Sequence, residues 1–88
     1  MSNVKVKVTM RNGSGLGLFI RINDHNLYFN RSGIQELQLT PQYYIATVTG
    51  NEPSSANTTI EIIQDESMLT SENYSSPTFW GFLPFTVK

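Results

Sequence analysis

The sequence predicts an all-β fold, an antiparallel sandwich of about seven short strands of the immunoglobulin or transthyretin kind. Three observations carry this reading. Apolar and polar residues alternate with period two along most of the chain, as Val4, Val6 and Val8 do between Lys5, Lys7 and Thr9. Clusters of Gly, Asn, Asp, Ser and Pro interrupt that alternation roughly every 8–12 residues. No stretch sustains a helical period, and residues 65–69 offer at most a single turn.

Each element follows from its own pattern. After the Val4, Val6, Val8 strand, Asn12 and Gly13 supply a strong hairpin signal. Leu16, Leu18, Ile20 and Ile22 then alternate with Gly17, Phe19 and Arg21. Asn23, Asp24, His25 and Asn26 form the next turn, since Asn and Asp tolerate left-handed backbone. Leu27, Tyr28 and Phe29 make a short strand closed by Ser32 and Gly33. Leu37 and Leu39 alternate with Glu36 and Gln38, while Ile34 is out of phase and suggests a bulge or an end. Tyr44, Ala46 and Val48 face one way, and Tyr43, Ile45 and Thr47 the other. Residues 50–57 read as an exposed loop, and residues 58–64 as a strand with Ile60 and Ile62 inward. Residues 65–76 are polar, anchored only by Met68 and Leu69. Residues 79–87 are aromatic and extended, and Pro84 among them points to an edge strand or a bulge.

The chain has 88 residues, a formal net charge of −1 and no cysteine. That length supports one domain over residues 1–88, with 65–88 an extended segment that closes an edge or mediates contacts. A disulfide scaffold and a thiolate metal site are excluded. The near-neutral balance argues against binding nucleic acid through phosphates. The longest apolar cluster, residues 79–85, is far short of the ~20 residues a spanning helix needs. The start shows no apolar run of about 7–15 residues of the kind a secretory signal contains. The chain therefore reads as soluble, with its compartment left open. Asn12, Asn30, Asn57 and Asn73 head glycosylation sequons, which matter only in a eukaryotic secreted protein.

Leu37, Leu39, Pro41, Tyr44 and Val48 follow a recognisable spacing. Residues 37–48 resemble the L-x-L-x-P-G-x-Y-x-x-x-V turn and strand of small transthyretin-like sandwich modules, including PEGA and carboxypeptidase regulatory-like domains. Gln42 stands at the family's glycine. The resemblance implies that Leu37 and Leu39 end one strand, Pro41 starts the turn and Tyr44 enters the core. It also implies a non-catalytic spacer, assembly or binding module.

The chemistry-bearing residues make no catalytic or metal motif. His25 is the one histidine and sits in a turn without a placed nucleophile. Glu61 and Asp65 lie near one strand, but a small sandwich offers little cleft for a carboxylate pair. Asp24 and His25 together fall short of the ligand count for zinc or calcium. Gly13, Gly15 and Gly17 lack a following helix whose N-terminus would hold a phosphate. No cofactor is expected.

Charge is unevenly spread: residues 1–35 hold five basic and one acidic residues, and residues 36–88 hold one basic and six acidic. The plain reading is charge complementarity between strands of one sheet, and another is contact between subunits, positive face to negative face. Single-strand binding would need Lys5, Lys7 and Arg21 on one outer face with Phe19 and Tyr28.

The aromatic C-terminus carries the functional expectation. Phe79, Trp80, Phe82 and Phe85 either close the bottom of a small core or, with Tyr28 and Tyr43, are the candidate contact residues. A sheet face or the C-terminal segment would bind a protein partner or a second copy. The alternative is a carbohydrate-binding module stacking sugars on Trp80 and exposed tyrosines.

Overall fold

A computed structural model describes residues 2–10, 14–51, 57–75 and 78–88. Eight strands run in order: β1 (Ser2–Met10), β2 (Ser14–Ile22), β3 (His25–Arg31), β4 (Gly33–Leu39), β5 (Tyr43–Asn51), β6 (Thr58–Gln64), β7 (Ser67–Tyr74) and β8 (Thr78–Thr86). They form two four-stranded antiparallel sheets. Sheet A has the order β4-β1-β6-β7 and sheet B the order β3-β2-β5-β8.

The alternation places the core between the sheets. Val4, Val6 and Val8 from β1 and Ile60 and Ile62 from β6 form the inner layer of sheet A, all at most 1% exposed. Leu18, Ile20 and Ile22 from β2 and Tyr44, Ala46 and Val48 from β5 form that of sheet B. Full burial of each large aliphatic side chain contributes about 1.5–3 kcal/mol relative to exposure.

The eighth strand is β7, from the polar stretch that carried no clear pattern. It is an edge strand whose residues are mostly exposed or half-buried, so it needs no apolar stripe. Residues 65–69 form no helical turn. Asp65 and Glu66 have φ of 49° and 66°. Two successive positive φ values give a two-residue turn whose twist matches the flanking strands.

Ile34 is the second residue of β4 and sits opposite Lys7 in an unbroken β1–β4 register, so it marks a strand end and not a bulge. The register does shift in β2 between Ser14 and Leu18, and in β6 between Ile62 and Ile63. Gly50 and Asn51 belong to β5 rather than to the loop. Asn12, Gly13 and residues 52–56 lie outside the described residues, but β1 and β2 belong to different sheets, so the two strands are not the hairpin that Asn12 and Gly13 suggested.

Side chains close both flanks of the sandwich. The Gln35 amide on β4 donates to the Tyr28 carbonyl on β3 at 2.7 Å. Tyr74 on β7 stacks on Phe79 of β8, with centroids 4.4 Å apart and planes at 10°. Burial pushes the Tyr74 hydroxyl pKa up, and the Glu72 charge adds to the shift. Gln64 grips the last residue from both sides: its amide donates to the Lys88 carbonyl at 2.8 Å, and the Lys88 N–H donates back at 3.0 Å.

The corner from β4 to β5 is built around one tyrosine. β4 ends at Leu39, residues 41 and 42 turn, and Tyr44 enters the core at 4% exposed. Its ring stacks on Phe85 at 5.5 Å, and its hydroxyl donates to the Thr40 carbonyl at 2.9 Å. Tyr44→Phe keeps the ring and removes that bond. It is expected to cost about 0.5–1.5 kcal/mol. Urea melts of the two proteins check it, and an unchanged midpoint would show that the bond contributes nothing net.

Candidate contact face on sheet B

The outer faces of the two sheets differ in kind. On sheet A, Lys5 faces Glu36 and Lys7 faces Glu61 across the ladder. Asn3 donates to Glu36 at 2.8 Å, and Gln38 donates to Asn3 at 3.1 Å. This face is a solvated lattice of charge and amide groups. The uneven charge along the chain is met here, strand against strand.

Sheet B presents the opposite surface. Eight large apolar or aromatic side chains are exposed among the described residues, and six lie on this outer face: Phe19, Tyr28, Tyr43, Ile45, Trp80 and Phe82. The other two, Ile34 and Met68, lie on opposite edge strands of sheet A. Alternation on a pleated strand explains the clustering, because residues of one parity share a face and the ladder aligns them across strands.

The register fixes the layout. One row runs Tyr28, Phe19, Thr49, Trp80 from β3 to β8. The next runs Asn26, Arg21, Thr47, Phe82. Beyond it Ile45 pairs with Pro84, and Tyr43 with Thr86. Phe19 and Tyr28 touch at 4.9 Å, and Trp80 meets Phe82 edge-on at 6.0 Å and 86°. Two aromatic ridges therefore flank a lower strip of Thr47 and Thr49 on β5. The ridges stand two strand spacings apart, about 10 Å.

Among the described residues of this face, Arg21 is the only charged one, and its Nε donates to the Asn23 carbonyl at 3.1 Å. A shallow cavity of about 240 Å³ lies beside Phe19, lined also by Arg21, Asn26, Thr47 and Thr49. That is below the roughly 300–1,000 Å³ of ordinary small-molecule sites.

The sequence candidates divide along β8. Trp80 and Phe82 are outward, at 72% and 61% exposed. Phe79 and Phe85 are inward, at 8% and 4%, and belong to the core rather than to a contact surface. Tyr28 and Tyr43 join Trp80 and Phe82 on the outer face. Phe19 and Ile45 complete that face and were missing from the candidate contact residues. Their signal was present, since both occupy the outward phase of strands whose inward phase was legible. Lys5 and Lys7 lie on sheet A, away from Phe19, Tyr28 and Arg21, so the face required for stacking a nucleic-acid strand is not assembled.

His25 opens β3 half-buried, and among the described residues no three His, Asp or Glu side chains gather as a metal group. No helix among the described residues is long and apolar enough to cross a membrane. The fold and this face define a small β-sandwich with one charged and one aromatic outer surface. No family model matches the chain, and no curated protein or solved structure is significantly similar to it.

Proposed function

We propose that the chain is a non-enzymatic protein-contact module that binds through the outer face of sheet B. The observation that carries the reading is the extent of this face. With about 200 Å² for a large side chain and exposures of 46–72%, its six large residues together expose roughly 700 Å², polar atoms included, in two groups divided by the Thr47–Thr49 strip. The largest apolar patch on a typical monomer is about 300–600 Å². Exposed Trp, Tyr and Phe with few charges is also the composition of the buried centre of a protein interface. The transthyretin-like resemblance of residues 37–48 points the same way.

The carbohydrate reading starts from the exposed ring of Trp80. Sugar platforms pair such a ring with amide or carboxylate side chains that hydrogen-bond the hydroxyls. Here the described neighbours of Trp80 on the face are Thr49 across the ladder and Phe82, which favours a protein partner.

One paired experiment separates the two. The chain and its Trp80→Ser/Phe82→Ser variant are used to capture proteins from extracts of the source cells. In parallel, a panel of soluble oligosaccharides is titrated while Trp80 emission is followed. Retention of a protein, the chain's own copy included, by the parent alone, with emission unmoved by sugars, is the expected result. A sugar that shifts the emission, with no protein retained, replaces this reading with the carbohydrate one.

A further inference from the structure

We infer that the occupant of the sheet B face is a second copy of this chain, the two outer faces packing against each other about a twofold axis. The inference rests on the contact-module reading and adds the partner. The first support is area. A standard specific interface buries about 800 Å² on each partner, and the six large side chains alone expose nearly that much before Thr47, Thr49 and Pro84 are included.

The second support is charge. A foreign partner is commonly selected by complementary charges at the contact. Among its described residues this face offers one cation, Arg21, already turned to the Asn23 carbonyl at the end of β2. A surface with so little charge is compatible with its own copy, because a twofold contact brings like groups toward like.

The third support is shape. Stacked sheets sit about 10 Å apart with side chains interdigitating. An in-plane twofold along the strands would seat the Trp80–Phe82 ridge of one copy on the low Thr47–Thr49 strip of the other, with Phe19 beside it and Tyr28 at the rim. The contact is the sheet-on-sheet packing that the molecule already uses inside. Trp80, two-thirds or more in water in the single chain, becomes buried.

Trp80 is the chain's one tryptophan, so its emission reports this face directly. The experiment is sedimentation equilibrium and Trp80 fluorescence over a concentration series, at low and high salt, on the parent chain and on Phe82→Glu. The variant keeps Trp80 as the probe and changes an exposed residue, and far-UV circular dichroism checks its fold. The expected result for the parent is a mass that doubles, with emission moving to shorter wavelength over the same range. High salt leaves this unchanged or strengthens it. Phe82→Glu raises the concentration at the midpoint by on the order of a hundredfold, as loss of a central aromatic does.

A monomer at every concentration overturns the inference. So does a dimer whose Trp80 emission stays that of an exposed ring, or one that high salt dissolves, since both place the contact away from this face. A chain that stays monomeric yet captures another protein, and loses it on Phe82→Glu, overturns the second copy alone. A monomer whose capture ignores Phe82→Glu overturns the contact-module reading as well.

Discussion

Phe79→Ala is expected to destabilise the fold by about 3–5 kcal/mol, the range for losing a buried aromatic side chain. Trp80→Ser, at the next residue, is expected to change stability by less than about 0.5 kcal/mol, as exposed substitutions usually do. The two differ because adjacent residues on a strand face opposite ways. Phe79 lies between Tyr74 and the backbone at Gly50 inside the sandwich. Its removal leaves a cavity and unstacks Tyr74, which holds the β7 flank against β8. Trp80 projects from the outer face. Urea melts at low protein concentration make the comparison, since self-association would add its own stabilisation at high concentration. Equal costs at the two positions would mean that the alternation along β8 is not the one described.

Gly50→Ala should change sign with its background. A β-carbon at Gly50 would lie 2.3 Å from Cζ of Phe79 and 2.5 Å from its Cε2. The ring stands directly over the glycine, so it must move within a packed core. Overpacking of this kind costs about 1–3 kcal/mol. The φ of Gly50 is outside the left-handed region, so space rather than backbone conformation requires glycine here. With Phe79→Ala already in place, the obstruction is gone. Alanine in a strand is then preferred to glycine by about 0.5–1 kcal/mol, because less chain entropy is lost. A double-mutant cycle on the two sites should give a coupling above about 1 kcal/mol. Additive effects would show that ring and glycine do not share the space.

The same strand shows where sequence reading stops. In β1, Lys alternates with Val, so phase and face are both legible from Val4, Val6 and Val8. In β5, Ala46 and Val48 alternate with threonines and set the phase just as well. From Phe79 to Phe85 both phases are apolar, and period two is present without a polar side to orient it. Phe79 and Phe85 could therefore not be told from Trp80 and Phe82 by pattern. The aromatic outer face is itself what erased the signal, because a strand that is apolar on both its inner and its outer face has no polar side. β7 was hidden for the opposite reason. It lies at the edge of sheet A with most side chains in water, and its turn uses Asp65 and Glu66 rather than the usual glycine. The gathering of Phe19, Thr49 and Trp80 into one row depends on pairings between strands far apart in the chain, which local patterns do not encode.

Those distant pairings also govern how fast the native state is reached. Val4 meets Leu37 on one side and Gln64 on the other, so the middle of sheet A waits for a partner about 60 residues away. Only β2 with β3 and β6 with β7 are joined by tight hairpins. Topologies so dominated by remote contacts fold in roughly milliseconds to seconds. The two hairpins are the local nuclei available early, and everything else must be closed by long loops. β8 emerges from synthesis after the other seven strands, and until it arrives the β5 edge beside Ala46 and Val48 has no partner. That interval is when a nascent chain risks pairing with a neighbour instead. Once β8 has added, Pro84 stands in the new edge strand and withholds a backbone donor there.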